Sequence, residues 1–130
     1  MILGIGVDTL NIERFHKSML RTPALEKRLF TKEELDLAPK NSSKKWGYLA
    51  KRFAAKEAFS KACGTGICAN ISWKDIIVLN DELGKPYLKI SPKAYQFILK
   101  KFKVKKITSH LSLSDDTEAI AFVIIEKLIG

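Results

Sequence analysis

The segment from Trp46 to Ile67, WGYLAKRFAAKEAFSKACGTGI, leaves the chain little conformational choice. Trp46, Leu49, Ala50, Phe53, Ala54 and Ala58 recur at intervals of three and four, the spacing that aligns side chains on one face of an α-helix. Asn41, Ser42 or Ser43 can cap its start, and Gly64 follows its end, where a left-handed backbone costs a glycine little. One long helix is therefore expected in the middle of the chain. Glu57 stands at the edge of its apolar stripe, and Tyr48, Arg52 and Lys56 recur every four residues on another side. A carboxylate so placed needs a partner. Lys61 offers one in the favourable i,i+4 order, worth only about 0.2–0.5 kcal/mol on an exposed helix. That pair would account for Glu57 without any function.

The flanking segments supply strands and shorter helices. Ile2–Asp8 alternates as a strand, with Leu3, Ile5 and Val7 on one face and Gly4, Gly6 and Asp8 on the other. The glycine face is almost bare, so the backbone of a small-faced helix can approach it. Asp8 also precedes a helix marked by Ile12, Phe15 and Met19, where it could serve as a capping or dipole carboxylate. Thr22 and Pro23 read as the start of the next helix, and Thr31 with Glu34 as a capping box for a third. Ile76–Val78 and Tyr87–Ile90 read as strands about the turn NDELGKP. Ser91 and Pro92 open a further helix that ends in the basic run KKFKVKK. In the segment from Ile107 to Ser114, Thr108, His110, Ser112 and Ser114 form a polar row, and Ala119–Ile125, apolar on both faces, reads as a strand in the middle of a core. The expected architecture is α+β, antiparallel strands packed against one long central helix and several short helices, in a single domain spanning residues 1–130.

Charge narrows the partners. The chain of 130 residues carries a formal net charge of +9, which predicts an anionic one: nucleic acid, a lipid surface, an acidic protein or a phosphorylated small molecule. Six cations fall between Arg14 and Lys32, a density that suits docking on an acidic surface. The two cysteines, Cys63 and Cys68, match neither a redox nor a zinc spacing, so free thiols are expected. The opening MILGIGVD lacks the features of a secretory signal and no apolar run is long enough to span a bilayer, so a cytoplasmic protein without membrane insertion is expected.

Asp8 and Glu57 are the carboxylates a folded site could use. Small residues on the strand (Gly4, Gly6) and helix (Ala50, Ala54, Ala58) would let the two elements pack closely and bring both acids together. Two carboxylates with water suit Mg²⁺, and Arg52, Lys56, Lys61 and His110 could ring the site with positive charge. These residues leave two readings open, a metal-assisted phosphate-handling enzyme and a small basic nucleic-acid-binding module. The second lacks an RNP-type aromatic motif or a helix-turn-helix signature.

GIGVD, RFAAKEAFSKACGTGI, NDELGKP and HLSLSDD, in that order, resemble the motifs of the holo-(acyl carrier protein) synthases, the small phosphopantetheinyl transferase family, over nearly the whole chain. The resemblance implies the phosphopantetheinyl transferase fold and Mg²⁺-dependent transfer of 4'-phosphopantetheine from coenzyme A to a serine of apo acyl carrier protein, in support of fatty acid biosynthesis. It makes Asp8 and Glu57 the metal ligands. Lys61 falls near the phosphates, Gly64 and Thr65 along the nucleotide, Lys44 and Arg52 at the 3'-phosphate, Gly84 to Pro86 at the adenine, and His110 beside the pyrophosphate. Arg14, Arg21 and Arg28 occupy the region that docks the carrier protein. The serine proton would pass to Glu57, His110 or a metal-bound hydroxide. A homotrimer with a site at each subunit interface is implied, with no nucleic acid or membrane partner. The chain departs from the pattern after Ser114, where Asp115 replaces a frequent histidine, and at Ala119, which follows Glu118 without the usual aromatic.

Overall fold

In the computed structural model, which describes residues 1–129, the chain begins with strand β1 (Ile2–Asn11) and helices α1 (Ile12–Arg21), α2 (Leu25–Leu29) and α3 (Lys32–Asp36). The long helix α4 (Ser42–Ala62) follows, then the hairpin β2 (Ile76–Asn80) and β3 (Pro86–Ile90), helix α5 (Pro92–Phe102), and strands β4 (Ile107–Asp115) and β5 (Glu118–Lys127). Local signals set most of the helix starts. Asn11 Oδ1 accepts the Arg14 amide, Asn41 Oδ1 the amides of Ser43 and Lys44, and Ser91 Oγ that of Ala94. Thr31 and Glu34 form the expected capping box. Thr22 instead closes α1, its amide bonded to the Ser18 carbonyl, so α2 begins at Leu25.

Strands β1, β5 and β4 form an antiparallel sheet in that order, and β2 with β3 forms a separate hairpin. One face of the sheet lies on α4. The bare strand face does what its glycines permit: a Cβ added at Gly4 would sit 1.9 Å from the carbonyl oxygen of Ala62, and one at Gly6 1.9 Å from that of Ala58. Ala119, Ala121, Val123 and Ile125 of β5 are buried beside them. Asp8 is not terminal, because β1 continues to Asn11 and Asp8 pairs with Ala121.

Two expectations are corrected. β5 is central in the sheet but buried on one face only. Phe122, 40% exposed, stands between Val7, 52% exposed, and Ser112, with Ile5 and Ile120 also exposed on that open face. The central helix, conversely, is enclosed beyond its apolar stripe. Arg52, Lys56 and Ser60 are buried as well, since the hairpin and α3 cover the side opposite the sheet. Its apolar contacts join two clusters, one with α1 and Phe30 around its first half, the other with α5, β2 and β5 around its second.

Candidate functional site

Asp8 reaches the sheet–helix seam from β1, its side chain 17% exposed. Lys61, from the last turn of α4, places Nζ 2.9 Å from Asp8 Oδ1 and donates to the Val7 carbonyl at 3.3 Å. The expected Glu57–Lys61 ion pair is therefore replaced by one across the seam, where Lys61 meets a carboxylate and a strand carbonyl at once. Glu57 is half-buried nearby. Burial foremost, and then the charge of Asp8, push its carboxyl above the ordinary range, while Lys61 opposes the rise. Two carboxylates repelling each other, with one ammonium paired to Asp8 and acting on Glu57 only through its field, make a seam deficient in positive charge.

That donor set fits Mg²⁺. The ion is commonly held by one or two carboxylates, with water and substrate phosphate oxygens completing its shell. Among the described residues no group of three or more histidine, cysteine or acidic side chains is arranged for a metal.

Beyond Lys61 the chain turns through Gly64 and Gly66, at φ +78° and +63°, with Thr65 Oγ1 donating to the Gly66 carbonyl. A side chain at either glycine would be strained. On another side of α4, Arg52 is stacked on the Tyr48 ring, 3.5 Å from its centroid, and donates to Asn80 Oδ1. Asn80 in turn donates to the Gly84 carbonyl at 2.7 Å, so the helix grips the hairpin turn that carries Gly84 (φ +85°) and leads into Pro86. Burial lowers the Arg52 pKa, with Tyr48 opposing, and Arg52 Nε is buried without a partner. Lys44 is exposed in the first turn.

The site residues thus form two groups. Asp8, Glu57, Lys61, Gly64 and Thr65 gather at one seam; Arg52, Gly84 and Pro86 gather at the hairpin. Arg52 and Glu57, five residues apart, point roughly 140° from each other around the helix. His110 joins neither. It belongs to the open sheet face, opposite Ile124, and meets Glu126 at 2.9 Å through Nε2. Strand alternation sends it away from the face that carries Asp8, so within one chain it stands apart from the seam.

Lys56 is also withdrawn from the expected ring of cations. It is fully buried, giving Nζ to Glu34 Oε1 at 2.7 Å, the Trp73 carbonyl at 2.9 Å and the Ile76 carbonyl at 2.6 Å. Asp115 pairs with Lys51 of α4 at 3.1 Å, which ties the β4–β5 turn to the helix. Sequence reasoning missed Asn80, Tyr48 and the buried role of Glu34. Asn80 reads as a turn residue and Glu34 as a cap; only the four-residue spacing of Tyr48 and Arg52 hinted at their stack.

Arg14 and Arg21 of α1 and Arg28 of α2 are exposed. Arg14 borders an apolar hollow of about 210 Å³ floored by Phe15, Met19, Leu29 and Phe53. Leu20, 61% exposed, lies on the same helix.

Residues 4–123 match the model of the 4'-phosphopantetheinyl transferase superfamily. The chain is 46% identical over 127 residues to the holo-[acyl-carrier-protein] synthase of Pelagibacter ubique (strain HTCC1062), covering 97% of this chain and 98% of that one. Its fold superposes on the crystal structure of holo-[acyl-carrier-protein] synthase from Neisseria meningitidis with a TM-score of 0.83 and 38% identity, over 98% of this chain and 100% of that one. Against the holo-(acyl-carrier-protein) synthase from Bacillus anthracis str. Ames in complex with CoA (3',5'-ADP), the TM-score is 0.80 at 37% identity, over 98% and 99% of the two chains.

Proposed function

The chain belongs to the 4'-phosphopantetheinyl transferase superfamily, and from that premise we propose that it is a holo-[acyl-carrier-protein] synthase acting as one domain over residues 1–130. It transfers 4'-phosphopantetheine from coenzyme A to a serine of apo acyl carrier protein, releases adenosine 3',5'-bisphosphate, and serves fatty acid biosynthesis in the cytoplasm. The observation that carries the reading is the convergence of Asp8, Glu57 and Lys61 across a seam that two glycines hold closed.

Asp8 and Glu57 would hold Mg²⁺. When bound, the ion neutralises pyrophosphate charge and favours departure of the nucleotide. Lys61 lies against Asp8 and faces the phosphates, while the Gly64–Thr65 turn lies along the nucleotide without side-chain bulk. Arg52 takes the 3'-phosphate. Its guanidinium, stacked on Tyr48 and with Nε unpartnered, is a charge-assisted donor for an oxyanion at the hairpin. Lys44 adds charge there, and Gly84 and Pro86 line the adenine. The serine proton passes to Glu57 or His110 as the serine oxygen attacks the β-phosphorus.

Coenzyme A must touch both groups, which face different sides of α4, and so a second subunit is needed. We assign the open face of Ile5, Val7, Ile120 and Phe122 to the interface of a homotrimer, in which a neighbouring copy supplies the second group and brings His110 to the seam. The acidic carrier protein docks on Arg14, Arg21 and Arg28, with an apolar side chain entering the hollow beside Arg14.

Mass spectrometry of apo acyl carrier protein incubated with coenzyme A, with and without Mg²⁺, tests the reading. A gain of one phosphopantetheine is expected with Mg²⁺ only. Asp8→Ala and Glu57→Ala should each lose at least about a hundredfold in rate while keeping the wild-type circular dichroism. Retained activity in either variant at saturating Mg²⁺ removes the metal assignment.

A further inference from the structure

We propose that Lys101, in the last turn of α5, is a further coenzyme A-binding residue, whose ammonium overhangs the Gly64 turn and holds the anionic part of the substrate that passes there. The inference rests on the reading of the site given above. Lys101 stands at the head of the run KKFKVKK, whose place in the sequence suggests only a solvated helix end, and from the last turn of α5 it reaches the turn after α4. A Cβ at Gly64 would meet Lys101 Nζ at 3.2 Å and Cε at 4.0 Å, and no other neighbouring atom within 4 Å. The glycine meets the demand of its left-handed backbone, and the ammonium occupies the space above it.

A lysine at the C-terminal end of a helix ordinarily neutralises the last carbonyls. Here that work is already done by the backbone. At the end of α5, Lys103 N–H donates to the Lys100 carbonyl and Val104 N–H to that of Leu99, and at the end of α4 Cys63 N–H donates to the Phe59 carbonyl and Gly66 N–H to that of Ser60. Lys101 donates no side-chain hydrogen bond and pairs with no carboxylate among the described residues. Lys51, Lys56, Lys61 and Lys93, by contrast, are each committed to an acid. The Phe102 ring lies 5.0 Å from Nζ on the same helix turn. The field of the ammonium also reaches the buried Cys63 thiol, where it works against the burial that pushes that group up to about 12. An exposed, uncommitted ammonium beside a bulk-free turn is free to take a phosphate.

The test compares Lys101→Ala and Lys101→Arg with Lys100→Ala, an exposed neighbour of equal charge. Calorimetric titration with coenzyme A in Mg²⁺ requires no turnover. It should show about tenfold weaker binding for Lys101→Ala, most of it restored by arginine, with Lys100→Ala near wild type. In the transfer assay Lys101→Ala should raise KM for coenzyme A and leave KM for carrier protein and kcat within about twofold. Equal coenzyme A affinity in Lys101→Ala and Lys100→Ala overturns the proposal, as does a lowered Tm without loss of affinity, the mark of a helix-end cation alone. Failure of the wild type to modify carrier protein would instead overturn the transferase reading.

Discussion

Glu57 is ill at ease in the fold that positions it. Burial and the facing Asp8 charge both disfavour its ionised form, and Lys61 compensates only in part. The consequence for stability follows from linkage. Its folded pKa lies above the ordinary value of 4.5, so between the two values the folded state holds a proton that the unfolded state has lost. Stability therefore falls as pH rises through that window, and the loss persists at neutral pH. In metal-free buffer, Glu57→Gln should raise Tm at pH 7 by a few degrees and flatten the dependence of Tm on pH above 4.5, while transfer activity is lost. Thermal melts at several pH values in a chelator check this; an unchanged profile would mean that the carboxyl is not strained. Arg52 and Lys56 show how much a single residue leaves undecided. They stand one turn apart and look interchangeable as members of a basic face. Lys56 spends its ammonium on Glu34 and two carbonyls, whereas Arg52 keeps Nε unpaired.

Helix α4 owes its orientation to that buried pair. Glu34 accepts from the Thr31 amide, the Val78 amide and Lys56 Nζ, so one carboxylate fastens α3, β2 and α4 together. With α4 held on that side and Gly4 and Gly6 pressed against the other, Glu57 is turned toward Asp8. Removing one partner strands a buried charge, at a cost of about 3–5 kcal/mol. Lys56→Met should therefore lose stability of that order in urea unfolding, and adding Glu34→Gln should recover part of the loss by removing the uncompensated carboxylate. A loss below about 1 kcal/mol would show that the pair does not anchor the helix. Helices and caps were legible from the chain because their interactions fall within one turn: Asn11, Thr31, Asn41 and Ser91 act on residues no more than three positions away. Thr22–Pro23 misled because the same residue types close a helix as readily as they open one.

At the scale of the whole molecule, the open sheet face sets the argument. Exposed Ile5, Val7, Ile120 and Phe122 lie together on adjoining strands, more apolar surface than isolated residues explain. Phe122→Lys should convert the proposed trimer to a folded monomer by light scattering and lose transfer activity, since on that proposal each site would lose its second half. A trimer that survives this change with full activity would disprove the interface. Charge reversal of Arg14 and Arg21 should raise KM for carrier protein about tenfold or more, with less effect on KM for coenzyme A. Equal effects on both would remove α1 as the docking face. His110 and the polar row of β4 were legible as a row, but alternation alone did not say that the row faces away from Asp8.

From the amino-acid sequence alone came the α+β class, the long helix, its caps, the bare strand face and the two acids that a close approach could unite, all readable from periodicity, turn chemistry and side-chain size. The motifs also carried the family resemblance. The tertiary structure decided which charges meet. Lys61 reaches Asp8 and not Glu57, Lys56 sinks onto Glu34, Arg52 reaches Asn80, and Lys101 overhangs Gly64. Each of these contacts joins residues at least twenty positions apart on different elements. Their geometry is set by how the sheet and hairpin close on α4, and residue spacing within any one segment carries no record of that closure.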